Sequence, residues 1–257
     1  MKRILLFLVG LTCVFCASSA LAQIFNTQMY FNGGYQGNVW SGEGESVATG
    51  FYDGSINGVN VGPGQSSPGF ICDDYYDNIT SGEHWTATGY QVSSLNINNI
   101  GSDTLFGNAN WSLVVASWGT GAQGAVFGYE ALAYLANMMF TTNPSSAMQS
   151  SISQAMWYLT SVATGHGWSL GSLDPGAQSL VMYVTTHSLA GLSSYSGLFL
   201  YTEPFNPTGP QEMWGQINTL TVPEGGSALA YLLISTLACI GAVWQSRRRM
   251  ATSPRLS

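Results

Sequence analysis

One thiol stands alone in the body of this chain. Of its four cysteines, Cys13 and Cys16 lie in an apolar run near the start and Cys239 in another near the end, which leaves Cys72 between Gln23 and Thr221. A single cysteine cannot close an internal disulfide, so it is a buried inert side chain, an intermolecular link or a reactive group. Paired with His84, His166 or His187, Cys72 would be the nucleophile of a thiol hydrolase, although no familiar hydrolase signature surrounds it. The neighbouring Asp73, Asp74, Asp77 and Glu83 offer hard oxygen ligands for Ca²⁺, but without the glycine-centred loop of known calcium motifs. Tyr75, Tyr76 and Trp85 supply aromatic faces on which sugar rings could stack.

Three short segments carry a more specific pattern. Phe70-Ile71-Cys72-Asp73 is followed by Ser153-Gln154-Ala155-Met156-Trp157 and then by Pro210-Gln211-Glu212-Met213-Trp214-Gly215. Their order resembles the thioester domains of bacterial surface proteins, over most of residues 25 to 221. Ile71 stands where that family more often has an aromatic. The resemblance implies a Cys72–Gln211 thioester, with Gln216 competing as acyl partner and with Gln154 and Trp157 as supporting residues. Gln154 and Trp157 share a helical face at i, i+3. In such a bond the thiol displaces ammonia from the carboxamide, and an arriving surface amine or hydroxyl then takes the acyl group. A dry aromatic setting, here Trp157, Tyr158 and Trp214, protects the bond from water. The implied role is attachment rather than enzymatic turnover, with no cofactor and no metal.

The elements that must position these residues form an α+β pattern. Residues 23 to 122 look β-rich, with turns at Asn32-Gly33-Gly34, Asp53-Gly54, Asn57-Gly58 and Gly62-Pro63-Gly64. A hairpin is expected over Phe51 to Val59 and strands at Phe70–Cys72, Tyr90–Ile97 and Trp111–Ala116. A three-helix segment follows. The first helix runs from Gly124 to Phe140. The second opens on Asn143-Pro144 as cap and first residue, with Met148, Ile152, Ala155, Leu159 and Val162 on its apolar face. The third opens on Asp174-Pro175 and extends to about Leu189. Gly197–Tyr201 and Gln211–Val222 return to strand-like patterns. The body is thus one β-rich domain with an inserted three-helix segment.

Charge is distributed unusually. All six Lys and Arg stand at positions 2, 3, 247, 248, 249 and 255, so residues 23–221 contain none, while holding 12 of the 13 acidic residues. Nucleic acid is excluded as a partner, because phosphate binding needs cations. A body without lysine also cannot crosslink to its own copies through lysine.

Both ends read as export signals. Residues 1–22 have a basic start at Lys2 and Arg3, an apolar run from Ile4 to Cys16 and small residues at Ala20 and Ala22, the pattern of a cleaved signal peptide. At the other end Pro223-Glu224-Gly225-Gly226 precedes an apolar stretch from Ser227 to Trp244, and Arg247, Arg248 and Arg249 follow. Those 18 residues would reach roughly 27 Å as a helix, close to the hydrocarbon thickness, with the arginines on the cytoplasmic side. This order over 222–257 resembles the PEP-CTERM sorting tail of Gram-negative bacteria, with Gly225 where proline is usual. The resemblance implies an exosortase-type sorting enzyme as partner, and Gly225-Gly226 also resembles substrates of rhomboid-type sorting proteases. The expectation is an exported protein of the cell envelope, cell surface or biofilm matrix, attached covalently to a surface amine or hydroxyl. The alternatives are a structural or exopolysaccharide-binding matrix protein and a secreted thiol hydrolase.

Overall fold

The computed structural model describes residues 24–42, 45–76, 79–203 and 212–216. They belong to one compact unit, Met1–Asn218. The signal-peptide region, Gln211 and the tail from 222 onward lie outside the described residues. Among the described residues no helix is long and apolar enough to cross a membrane.

The fold is mixed α+β. Nine strands occur among the described residues: β1 Ile24–Tyr35, β2 Val39–Gly42, β3 Glu45–Ala48, β4 Tyr52–Ile56, β5 Val59–Val61, β6 Phe70–Cys72, β7 His84–Gln91, β8 Phe199–Thr202 and β9 Met213–Gly215. Seven form a sheet in the order β1-β7-β8-β9-β6-β4-β5, and β1 pairs again with β4. That second pairing closes six strands into a barrel and removes its open edges. The expected hairpin is present as β4 and β5. Asn57 and Gly58 both take positive φ, 51° and 76°, as a two-residue turn between twisted strands requires.

Strand alternation separates two cores. Met29, Phe31, Tyr52, Phe70, Cys72, Trp85, Tyr201 and Met213 fill the barrel interior. Ile71, Leu200 and Trp214 point outward from the same strands into a second core shared with the helices. The helices are α1 Ile100–Asp103, α2 Gly121–Thr142, α3 Ser146–Ala163 and α4 Pro175–Thr186. The three long ones lie between β7 and β8, as the inserted segment predicted.

Three local expectations are corrected. Tyr90–Ile97 is not a strand. β7 ends at Gln91 and a 3₁₀ turn follows, because Ser94 Oγ donates to Gln91 O and Asn96 and Asn99 bond nearby backbone. Trp111–Ala116 contains a 3₁₀ turn, with the Trp111 ring buried and its Nε1 donating to Phe106 O at 3.0 Å. Asn143 does not cap α3. It ends α2 in the left-handed conformation, φ 47°, and Ser145 accepts from Met148 N at 3.4 Å instead.

The Asp174-Pro175 start is borne out. Asp174 Oδ1 accepts from Ala177 N at 2.7 Å and from Ser151 Oγ at 2.9 Å. Its other oxygen accepts from Gln154 Nε2 at 2.7 Å. Asp174→Ala removes the cap and both ties to α3, and should lower stability by about 2 kcal/mol, read as a reduced urea midpoint at unchanged slope.

Candidate functional site

Cys72 ends β6 and faces the barrel interior. Antiparallel pairing sets Phe70 against Gly215, Ile71 against Trp214 and Cys72 against Met213. The side chain is 1% exposed. Its Sγ donates to Asp74 O at 2.8 Å and accepts from Asp74 N at 3.2 Å. Burial pushes the thiol well above its ordinary range, and the acidic neighbours Asp74 and Asp73 push it further. As a free thiol it is therefore a poor nucleophile.

Helix α3 fastens the backbone at this point. Trp157 Nε1 donates to Cys72 O at 3.1 Å, and Thr160 Oγ1 donates to Asp73 O at 2.6 Å. The two helical residues sit at i, i+3, so one face of α3 holds two consecutive carbonyls of β6 and its extension. Trp157 is fully buried, with Tyr75 at 5.7 Å and Trp40 at 6.2 Å between ring centroids. Of the two expected supports, Trp157 thus touches the Cys72 backbone. Gln154 is employed elsewhere: its carboxamide donates to Asp174 and accepts from Asp174 N at 3.0 Å, joining α3 to the start of α4.

The register places one of the two candidate glutamines. Gln216 follows Gly215, three residues along β9 from the Cys72 partner Met213, about 10 Å away at the strand rise. An odd offset also places it on the opposite face of the strand, and its amide nitrogen lies beside Gly197. Gln216 therefore does not lie beside the Cys72 thiol. Gln211 lies outside the described residues, but Glu212, next in the chain, is fixed: its backbone O accepts from Asp73 N at 3.4 Å.

Immediately behind this pair of strands lies a feature that the sequence reading missed. Asp73 and Glu212 are both fully buried, on the helix side of the sheet. Asp73 Oδ2 accepts from Trp214 Nε1 at 2.6 Å. Glu212 Oε1 accepts from Tyr129 OH at 2.6 Å and Oε2 from Leu105 N at 2.9 Å. Burial raises Asp73 well above the usual carboxylate range, and the facing Glu212 raises it further. Burial raises Glu212 to about 6, against the lowering pull of Tyr129 and the Leu105 amide. The signal available in the sequence was the absence of Lys and Arg from residues 23–221: a carboxyl followed by Met213 and Trp214 has no cation within that stretch to hold it ionised once buried.

A pH dependence follows, with a sign opposite to ordinary acid denaturation. A carboxyl whose folded value lies above its unfolded 4.5 contributes stability below 4.5 and loses it as pH rises through about 6. For Glu212 this amounts to about 2 kcal/mol. Residues 23–221 contain no Lys or Arg of their own to give a carboxylate an offsetting ion pair. Thermal melts should therefore show Tm rising between about pH 7.5 and about pH 4.5, and a flatter profile for Glu212→Gln.

The alternative chemistries fare poorly. His84 stacks on Tyr30 and His187 on Tyr183, while His166 packs tilted against Tyr76. The Cys72 thiol itself bonds to Asp74. The acidic group does not converge on a cation. Asp73 faces Trp214, Asp74 Oδ1 accepts from Tyr76 N, and Glu83 accepts from Thr80 N. Asp77 lies outside the described residues, and no cluster of three His, Cys, Asp or Glu side chains occurs among the described ones. Of the aromatics expected to stack on sugars, Trp85 lies in the barrel core and Tyr75 in the helix-side core, while Tyr76 is exposed.

Comparison with known proteins brings no match: no family model fits the chain, and no curated protein or solved structure is significantly similar to it.

Proposed function

We propose that this chain is an exported, non-enzymatic adhesion protein of the cell surface or matrix, whose body attaches covalently to a partner through a Cys72–Gln211 thioester. The Cys72 thiol adds to the Gln211 carboxamide carbon, the C–N bond breaks and ammonia leaves. A partner amine or hydroxyl later adds to the same carbon, the C–S bond breaks, and the thiol is regenerated while the partner stays bound to Gln211. Each molecule acts once.

The observation that carries this reading is the β6–β9 register. It sets the body's single cysteine against Met213, two residues after Gln211. Barrel closure and the Trp157 tie support it further, since they keep this pocket dry and its backbone still. The terminal patterns support export and sorting by an exosortase-type enzyme, with membrane anchoring through 227–244.

Methylamine offers the direct test. The purified protein, incubated with methylamine and digested, should carry the label on the peptide containing Gln211. Label on Gln216, or none on either, contradicts the reading.

A further inference from the structure

Each of the two residues proposed to react is followed directly by a buried acid: Asp73 after Cys72, and Glu212 after Gln211. Because side chains alternate along a strand, Cys72 faces the barrel interior while Asp73 faces the helices. The two acids therefore lie on the helix side of the sheet, behind the Cys72 thiol. One oxygen of Asp73, Oδ1, is buried without an ordinary hydrogen-bond partner. Beside it runs Glu212, whose backbone O accepts from Asp73 N at 3.4 Å and whose carboxyl is the strongest charge acting on Asp73.

We propose that Asp73 and Glu212 form a proton-sharing clamp that holds β6 against β9 and keeps the Cys72 pocket shut. They are positioning residues and deepen the Cys72–Gln211 reading, on which their role in protecting a thioester rests. Asp73 Oδ1–H donates to Glu212, while Trp214, Tyr129 and the Leu105 amide occupy three of the remaining oxygen sites. While the pair retains a proton, that bond ties the two strands behind the reactive residues. When the last proton leaves to solvent base, two anions face each other in a dry site and drive the strand ends apart.

Among the described residues, the surroundings offer no cation to neutralise that charge. Cys72 and Asp74 on the β6 side, Tyr129 from α2 and Tyr90 from β7 are the titratable groups that face the pair. β8 presents the Thr202 hydroxyl, α3 the Trp157 indole and Thr160 hydroxyl, and the loop after α1 the Leu105 amide. None of these is a cation. The pair's raised range agrees with a proton retained near neutrality.

Asp73→Asn makes the clamp permanent: the amide can still accept from Trp214 and donates to Glu212 at every pH. The purified full chain and this variant are held at about pH 6 and about pH 9, and opening of the pocket is followed by mass. Opening means that water adds to the acyl carbon and the C–S bond breaks, leaving a carboxylate at position 211 and an alkylatable Cys72. Both proteins should open equally fast at the lower pH, and the wild type at least ten-fold faster at the higher. Equal rates at both pH values overturn the clamp. A wild type that shows no ammonia deficit ends the thioester reading alone; iodoacetamide alkylation of Cys72 then reports the same opening, with the same ten-fold excess expected. Removing Asp73 by itself makes Cys72 more acidic and favours the variant, so a wild-type excess cannot arise from thiol ionisation. If Asp73→Asn does not accumulate, Glu212→Gln removes the same repulsion and must show the same flattening.

Discussion

Cys72→Ser is expected to abolish covalent capture of methylamine completely while leaving the fold intact. The serine occupies slightly less volume at a site already bonded to Asp74, so the cost in stability is about 1–2 kcal/mol. The chemical loss is total, because a serine hydroxyl leaves no sulfur to form the thioester that methylamine opens. Gln211→Ala should give the same loss of capture, with Cys72 left as an inert buried thiol. Quantitative amine labelling of wild type and both variants, alongside a urea melt, checks this. A Cys72→Ser protein that still takes up methylamine at Gln211 would place the activating group elsewhere.

Trp157→Ala carries the largest structural effect. The indole is fully buried and bonds the Cys72 carbonyl, so its removal leaves a large cavity and an unsatisfied acceptor. A destabilisation of about 3–5 kcal/mol is expected. Trp157→Phe separates the two contributions. It keeps most of the packing against Tyr75 and Trp40 and loses only the hydrogen bond, at about 1 kcal/mol. With the Cys72 backbone less firmly held, the Phe variant should form a smaller thioester fraction at nearly native stability. An unchanged fraction in Trp157→Phe would show that packing alone, and not the bond to β6, is what the site requires.

The parts of this fold that depend on local chemistry were legible. Asn57-Gly58 demands positive φ at both positions, and Asp174-Pro175 caps and starts a helix in one step. Asn143-Pro144 looks the same but acts differently, because Asn also tolerates the left-handed conformation that ends α2. Trp111 and the valines after it carry strand propensity, yet the indole is more useful against Gly128 of α2, where a Cβ would sit 2.4 Å from the ring. In the candidate site, Cys72 and Trp157 were within reach of sequence reading, since each has a motif around it. The placing of Gln216 needed the strand register, and the Asp73–Glu212 contact joins residues 139 apart in sequence, on strands brought together by barrel closure. Nothing local in the chain marks them as partners.

The intact mass of the purified, exported protein bears most directly on all of this. A chain carrying the internal bond weighs less than its sequence by one ammonia and recovers that mass, plus the amine, on treatment with methylamine. A chain at its full sequence mass, with Cys72 freely alkylated after unfolding, contradicts it.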